Sequence, residues 1–302
     1  MSVLPSIEER SPHGTPGAES DGISKEDQLK YAASVGSFPQ STIRLAQILT
    51  DPVCSLEDVA EVIKYDGVLT TKLLRAASSA ADGYAIHATS IPEAINRLGI
   101  NGTMALAVAS AARPYFDTAI PAYGLKTGEL WRNAMAAAAV AEVLPRFCEV
   151  NVPAEVFTSS LLHDVGKLVM GKFITRRVYG LLERARLVDG LSEIEAESAV
   201  LKVNHAELGG LIAEHWQIPP RVVLAIISHH APEQGFDEVC DFTYITDKVA
   251  GWIEARLDKR PIEFSVSTDI ALRVGFASDR FEEFCQLAAS RYEEISRRYD
   301  AI

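Results

Sequence analysis

The segment Leu161-Leu162-His163-Asp164-Val165-Gly166-Lys167-Leu168 sets an imidazole and a carboxylate side by side at the edge of an apolar face. Leu161, Leu162, Val165, Leu168 and Val169 make that face, so folding would bury the polar pair, and buried polar groups need partners. A divalent metal is one such partner. Hydrogen bonds to neighbouring helices, with Asp164 pairing Lys167 one turn on, are another. Three later features add groups of the same chemistry. Asn204-His205-Ala206-Glu207 opens a helix, with Asn204 as N-cap and His205 in the first turn. Ile227-Ser228-His229-His230 closes another, where histidine charge would also suit the C-terminal end of the helix dipole. Asp247 sits mid-helix in Tyr244-Ile245-Thr246-Asp247-Lys248-Val249, between apolar residues, where a lone carboxylate would be costly. Imidazoles and carboxylates drawn from several helices suit a hard or borderline divalent ion in a helical bundle. His215 and His87 lack such company and read as structural or surface residues.

Helices have to position these groups. Ser55-Leu56-Glu57-Asp58 opens one with Val59, Val62 and Ile63 on a single face. Ser90-Ile91-Pro92-Glu93 reads as a capping box with proline in the first turn, and Gly99 closes that short helix. Ser192-Glu193-Ile194-Glu195 repeats the start signal. No stretch pairs period-2 alternation with a hairpin turn, so the expected fold class is all-α, in two packed helical bundles. Residues 1–24, with Pro5, Pro12, Pro16, Gly14, Gly17 and Gly22 among serines and glutamates, read as a disordered tail. Pro121, Gly124 and Gly128 interrupt two alanine-rich helices and mark a division. The expected units are an N-terminal helical subdomain at 25–118, a second helical subdomain at 119–257 and a C-terminal helical extension at 258–302. Five of the seven histidines fall between 163 and 230, which assigns any chemistry to the second unit.

Composition narrows the function classes. Of 302 residues, 48% are hydrophobic and 23% charged, the balance of a soluble globular chain of about two domains. Lys and Arg number 29 against 41 Asp and Glu, a formal charge of −12, which argues against binding duplex nucleic acid or an anionic membrane. The longest stretch without charge, Leu98 to Ala112, is too short to span a bilayer, and Met1 to Ser24 has no apolar run of a secretory signal. Four separated cysteines, Cys54, Cys148, Cys240 and Cys285, read as reduced thiols, so the expected compartment is the cytoplasm. Neither a P-loop nor a GxGxxG turn is present.

The order His163-Asp164-Val165-Gly166-Lys167, His205-Ala206-Glu207-Leu208-Gly209, His215-Trp216-Gln217-Ile218-Pro219, His229-His230 and Asp247 resembles the HDOD domain, a signalling-associated branch of the HD phosphohydrolase superfamily. Upstream, Phe38-Pro39, Leu49-Thr50-Asp51-Pro52, Leu73-Leu74-Arg75-Ala76-Ala77-Ser78 and Ser90 to Gly99 follow the same family's order, so the likeness runs from about Ser37 to Ala250. The resemblance implies an HD-like second subdomain and metal ligands at His163, Asp164, His205, His229, His230 and Asp247. It also shows departures. Asn133, after Leu130-Trp131-Arg132, stands where HD enzymes have a first histidine ligand, and an amide oxygen is a weak ligand beside an imidazole. Ser78 stands where the family usually has asparagine, and no Gly-Tyr-Pro follows the paired histidines. The resemblance therefore implies a non-catalytic or weakly active bacterial regulatory module with a degenerate metal site. A divalent metal (Mn, Fe, Ni or Mg) would be held partially or not at all. Its partners would be other signalling proteins. The alternative is a metal-dependent phosphohydrolase acting on a nucleotide or other phosphoester, with Lys167 stabilising phosphate charge. Beyond the resemblance, Pro261 to Ile302 reads as further helix that either caps the bundle or pairs with another chain as a homodimer seam.

Overall fold

The computed structural model describes residues 22–48, 54–78, 88–261 and 266–300. His87 and the expected tail, as far as residue 21, lie outside the described residues. Among those described, every regular element is helical, and the only bridges are the isolated pairs Ile120–Leu125 and Cys148–Phe276. None of the described helices is long and apolar enough to cross a membrane.

The N-terminal half builds α1 (Lys25–Ala33), α2 (Gln40–Ile48), α3 (Leu56–Ile63), α4 (Gly67–Ser78) and α5 (Ile91–Phe116). Ser55 and Asp58 form the reciprocal capping box that starts α3. At α5 only half of the expected box forms: Ser90 accepts from the Glu93 N–H, while the Glu93 carboxylate turns to the N–H and hydroxyl of Thr89. Gly99 ends the first stretch of α5 at φ +73°, a left-handed value that glycine adopts without strain, and the helix resumes beyond the kink. Ser78 Oγ donates to Leu74 O and accepts from the Ala88 N–H, tying the end of α4 to the start of the next described segment.

After a loop with left-handed Gly124 and Gly128, α6 (Glu129–Val143) begins the second half. Ala134 through Ala139 are all at most 2% exposed, and a helix apolar all round must be surrounded. One side of α6 joins the core shared with α1–α5, and the other faces a second core with α13 (Glu238–Leu257) and α15 (Phe281–Asp300). Phe284, Cys285 and Ala288 of α15 are buried against α6 within the chain, in the extension that sequence offered as a cap on the bundle or a dimer seam. The remaining helices are α7 (Glu155–Leu162), α8 (Lys167–Phe173), α9 (Arg176–Leu187), α10 (Glu193–Leu201), α11 (His205–His215), α12 (Pro220–Ser228) and α14 (Thr268–Arg273).

The two halves share one apolar core. Trp216, just past α11, donates its indole N–H to Gly36 O at 2.8 Å and stacks on Phe38, with ring centroids 4.6 Å apart. α1 packs on α11, so the first described helix braces the helix that carries His205.

Candidate metal centre

His163 and Asp164 leave the C-terminal end of α7, and Gly166 precedes α8. Gly166 has an ordinary helical backbone; its lack of a side chain is needed for contact. A Cβ there would sit 1.8 Å from His205 O and 2.6 Å from Gly209 N. Glycine therefore lets the start of α8 press against the first turn of α11, which brings Asp164 Oδ1 to 3.4 Å from His205 Nε2. From the other side, Ser160 and Thr246 share a buried hydroxyl pair at 2.7 Å, as do Ser159 and Thr243 at 2.6 Å. These pairs lock α7 to α13 and place Asp247 Oδ1 3.5 Å from His163 Nε2.

The hydrogen bonds set each ring's orientation. His163 donates Nδ1–H to Ser160 O and His229 donates Nδ1–H to Ile226 O, both at 2.7 Å. Each thereby turns its Nε2 inward. Both Nε2 atoms are buried and have no hydrogen-bond partner, and neither has Asp164 Oδ1. His205 is oriented by Glu197, whose Oε2 accepts from both its backbone N–H and Nδ1–H at 2.8 Å, while Tyr123 donates to Glu197 Oε1 at 2.6 Å. With Nδ1–H so engaged, His205 Nε2 accepts from His230 Nε2–H at 3.0 Å. His230 Nδ1 lies 3.9 Å from Asp247 Oδ2, and His229 Nε2 lies 3.9 Å from Asp164 Oδ1. All six predicted side chains thus meet in one place. His215 is exposed at the end of α11, away from them.

Electrostatics divides the rings. Burial, reinforced by neighbouring imidazoles, pushes His229 well below the ordinary histidine range; burial likewise brings His230 down to about 4. Burial would lower His163 too, but Asp164 and Asp247 outweigh it and hold its pKa above the usual value. Burial would raise the two carboxylates, yet Lys167 and the histidines hold Asp164 far below its ordinary range, and His163 and Lys248 do the same for Asp247. Lys167 Nζ is taken up by Asp164 Oδ2 at 2.8 Å and Glu193 Oε1 at 3.2 Å, the pairing expected in the metal-free reading of the motif.

These donors fit a divalent ion. Donor atoms of His163, Asp164 and His229 lie within 4.8 Å of one another, as do those of His205, His229 and His230. Metal–ligand bonds of about 2.1 Å separate adjacent ligands by about 3.0 to 3.4 Å, close to the 3.4 and 3.5 Å found from Asp164 to His205 and His163. Asn133 contributes differently. Its Nδ2–H donates to Glu254 Oε2 at 3.1 Å, and its buried Oδ1 has no partner. Burial raises the Glu254 carboxyl pKa, with the Asn133 hydrogen bond and Arg132 opposing it. Sequence reasoning missed Glu197, Tyr123, Glu193 and Glu254. Glu254 alone carried a signal, lying two turns beyond Asp247 on one helix.

A family model for the HDOD domain matches residues 35–232. A crystal structure of an HDOD domain protein of unknown function from Geobacter sulfurreducens superposes with a TM-score of 0.62 at 20% identity, over 88% of this chain and 97% of that one. A protein from Shewanella amazonensis SB2B, provisionally described as a phosphohydrolase, gives 0.63 at 22% identity over the same shares. One from Marinobacter aquaeolei VT8, provisionally described as a signal transduction protein, gives 0.68 at 18%, over 93% of this chain and 62% of that one. At these identities the likeness is one of fold. An uncharacterised protein of Treponema pallidum (strain Nichols) is 24% identical over 217 residues, which span 68% of this chain and 41% of that relative. With the family model covering well over half of its 302 residues, the chain belongs to the HDOD domain family.

Proposed function

We propose that this protein is a regulatory HDOD module, non-catalytic or weakly active, whose HD-like subdomain (119–257) holds a divalent metal incompletely and signals through other cytoplasmic proteins. The observation that carries this reading is the state of Asn133. Its amide N–H is committed to Glu254, which leaves only a neutral carbonyl oxygen where a histidine nitrogen would coordinate. Lys167 points the same way, since two carboxylates already neutralise the cation that a phosphate would need. His163, Asp164, His229 and Asp247 would hold one ion, and His205 and His230 lie where a second would sit beside Asp164. A bound divalent ion supplies Lewis acidity toward a phosphoryl oxygen. The chain's own groups orient the imidazoles and exclude solvent: His163, His205 and His229 are fully buried.

The test is metal content of the purified protein by elemental analysis, with a phosphodiester assay on bis(4-nitrophenyl) phosphate in added Mn²⁺. Substoichiometric metal and no hydrolysis are expected, and Asn133→His should raise occupancy to stoichiometric. Two tightly held metals and hydrolysis by the unmutated protein would replace this reading with a metal-dependent phosphohydrolase of a nucleotide or other phosphoester.

A further inference from the structure

A cavity of about 360 Å³ opens at the far end of the helices that carry the metal-site residues. Val156 and Phe157 bring the N-terminal turn of α7 into its wall, and Val222 brings that of α12. Ala141 and Glu142 bring in the C-terminal turns of α6, and Met104 brings in α5 from the N-terminal half. α7 leads directly to His163, α12 directly to His229, and α6 carries Asn133 two turns back. Seven residues separate Val156 from His163 and Val222 from His229, a rise of about 10 Å. The same short helices therefore line the cavity at one end and the His–Asp cluster at the other.

We propose that this cavity is an effector site for a small, mainly apolar molecule with a neutral or cationic head, and that its occupancy repositions the cluster through α7 and α12. The volume falls within the roughly 300–1,000 Å³ usual for small-molecule sites. Apolar walls fix the body of the ligand. The charged groups fix the head: Glu142 and Glu155 face the cavity, the lining guanidinium of Arg291 is shared by Glu142 at 2.5 Å and Glu294 at 2.7 Å, and Arg221, 3.4 Å from Glu155, is also held by Asp237 and Glu238. Five carboxylates are thus grouped with two guanidinium groups, so an anionic head would meet an excess of negative charge. Occupancy presses on Phe157 and Val222, and a helix of eight or nine residues packed on its neighbours moves as a rod. The coupling rests on the proposed regulatory role of the cluster; binding does not.

Gly102 offers a variant that closes the cavity without disturbing the fold. It lines the cavity within α5, and a Cβ there would meet only Leu98 Cβ, at an ordinary 3.5 Å. The full-length, metal-free protein is titrated with the neutral fluorophore N-phenyl-1-naphthylamine, which decanol, decylamine or decanoate then displaces. Saturable binding is expected, with decanol and decylamine displacing the probe at least tenfold better than decanoate. Gly102→Leu should weaken probe binding at least tenfold at an equal or higher unfolding temperature. Decanol should also shift the ring ¹⁵N resonances of His163 and His229 in the parent and not in Gly102→Leu. Absence of saturable binding, full binding by Gly102→Leu, or preference for decanoate would overturn the site as assigned. Binding that leaves the ring resonances unmoved would overturn the coupling. Because the protein is metal-free throughout, these outcomes are independent of whether the cluster binds a metal.

Discussion

Asp164→Asn removes the one carboxylate that touches both the ring cluster and Lys167. The ammonium lies 2.8 Å from Asp164 and 3.2 Å from Glu193, with the Lys167 and Asp164 side chains only 16% and 6% exposed. Burial alone would lower the Lys167 pKa, but Asp164 and Glu193 hold it above the ordinary lysine value, so it enters the fold charged. Removing one partner from a buried ion pair costs about 3–5 kcal/mol, because the other charge is left without compensation. Glu193, 40% exposed, still compensates part of it, so the expected loss is about 2–3 kcal/mol. The assay is equilibrium urea unfolding with EDTA at pH 7, on the parent, Asp164→Asn, Lys167→Met and the double variant. Removing both charges should recover most of the loss, making the double variant more stable than Asp164→Asn alone. A loss below about 1 kcal/mol, or losses that simply add, would refute the pairing. Lys167 would then be free to meet a phosphate, and the regulatory reading would lose one of its two supports.

Gly166→Ala places a methyl group against the backbone of α11, which has nowhere to yield, so thermal unfolding should show a loss of about 3 kcal/mol or more. A near-neutral alanine would mean that α8 and α11 do not approach as described. For pH, the folded chain resists protonating His230 until about 4, whereas the unfolded chain accepts that proton near 6.5. Stability of the metal-free protein should therefore fall as pH drops from 7 to 5, with about 2 kcal/mol of the loss due to this ring. His230→Gln should flatten the slope by that amount, even though His163, with its raised pKa, contributes in the opposite sense; an unchanged slope would remove His230 as its source. Finally, Glu197→Leu should lower Mn²⁺ affinity about 10–100-fold in calorimetric titration by releasing His205, while Glu197→Gln, still able to accept from Nδ1–H, should lose less. Equal affinity in parent and variants would exclude His205 as a ligand.

The helical class and the convergence of six side chains were legible in the sequence because both leave local marks. Ser55, Ser192 and Asn204 are N-caps that satisfy backbone N–H groups where the pattern says they must. The His-Asp pair sits beside an apolar run whose burial is forced. The groups around that pair were not legible. Glu197 lies on a helix with an ordinary start signal, and nothing local separates it from exposed Glu195, yet it is 1% exposed and bonded to His205 and Tyr123. Tyr123 arrives from a loop that read only as a break between helices. Residue order located Asn133 but not its partner, because the Asn133–Glu254 bond depends on how α6 and α13 pack.

Four imidazoles gathered around His229 cannot all carry charge, and the arrangement decides which do. His229 lies among the other three, with ring centroids 5.1 Å from His163, 5.4 Å from His205 and 4.0 Å from His230. A proton on that ring would find its nearest Asp164 oxygen, Oδ1, only at 3.9 Å, while burial and the neighbouring imidazoles oppose the charge. His229 and His230 are therefore held neutral, the form in which imidazole coordinates a metal. His163, between Asp164 and Asp247, is the ring that the carboxylates favour in its charged form. A cation entering the cluster replaces that proton against the same two carboxylates, so its affinity must rise with pH. On the proposed reading, in which Asn133 stands in for a histidine ligand, one fewer neutral nitrogen would offset the exchange, and the proton would compete correspondingly better.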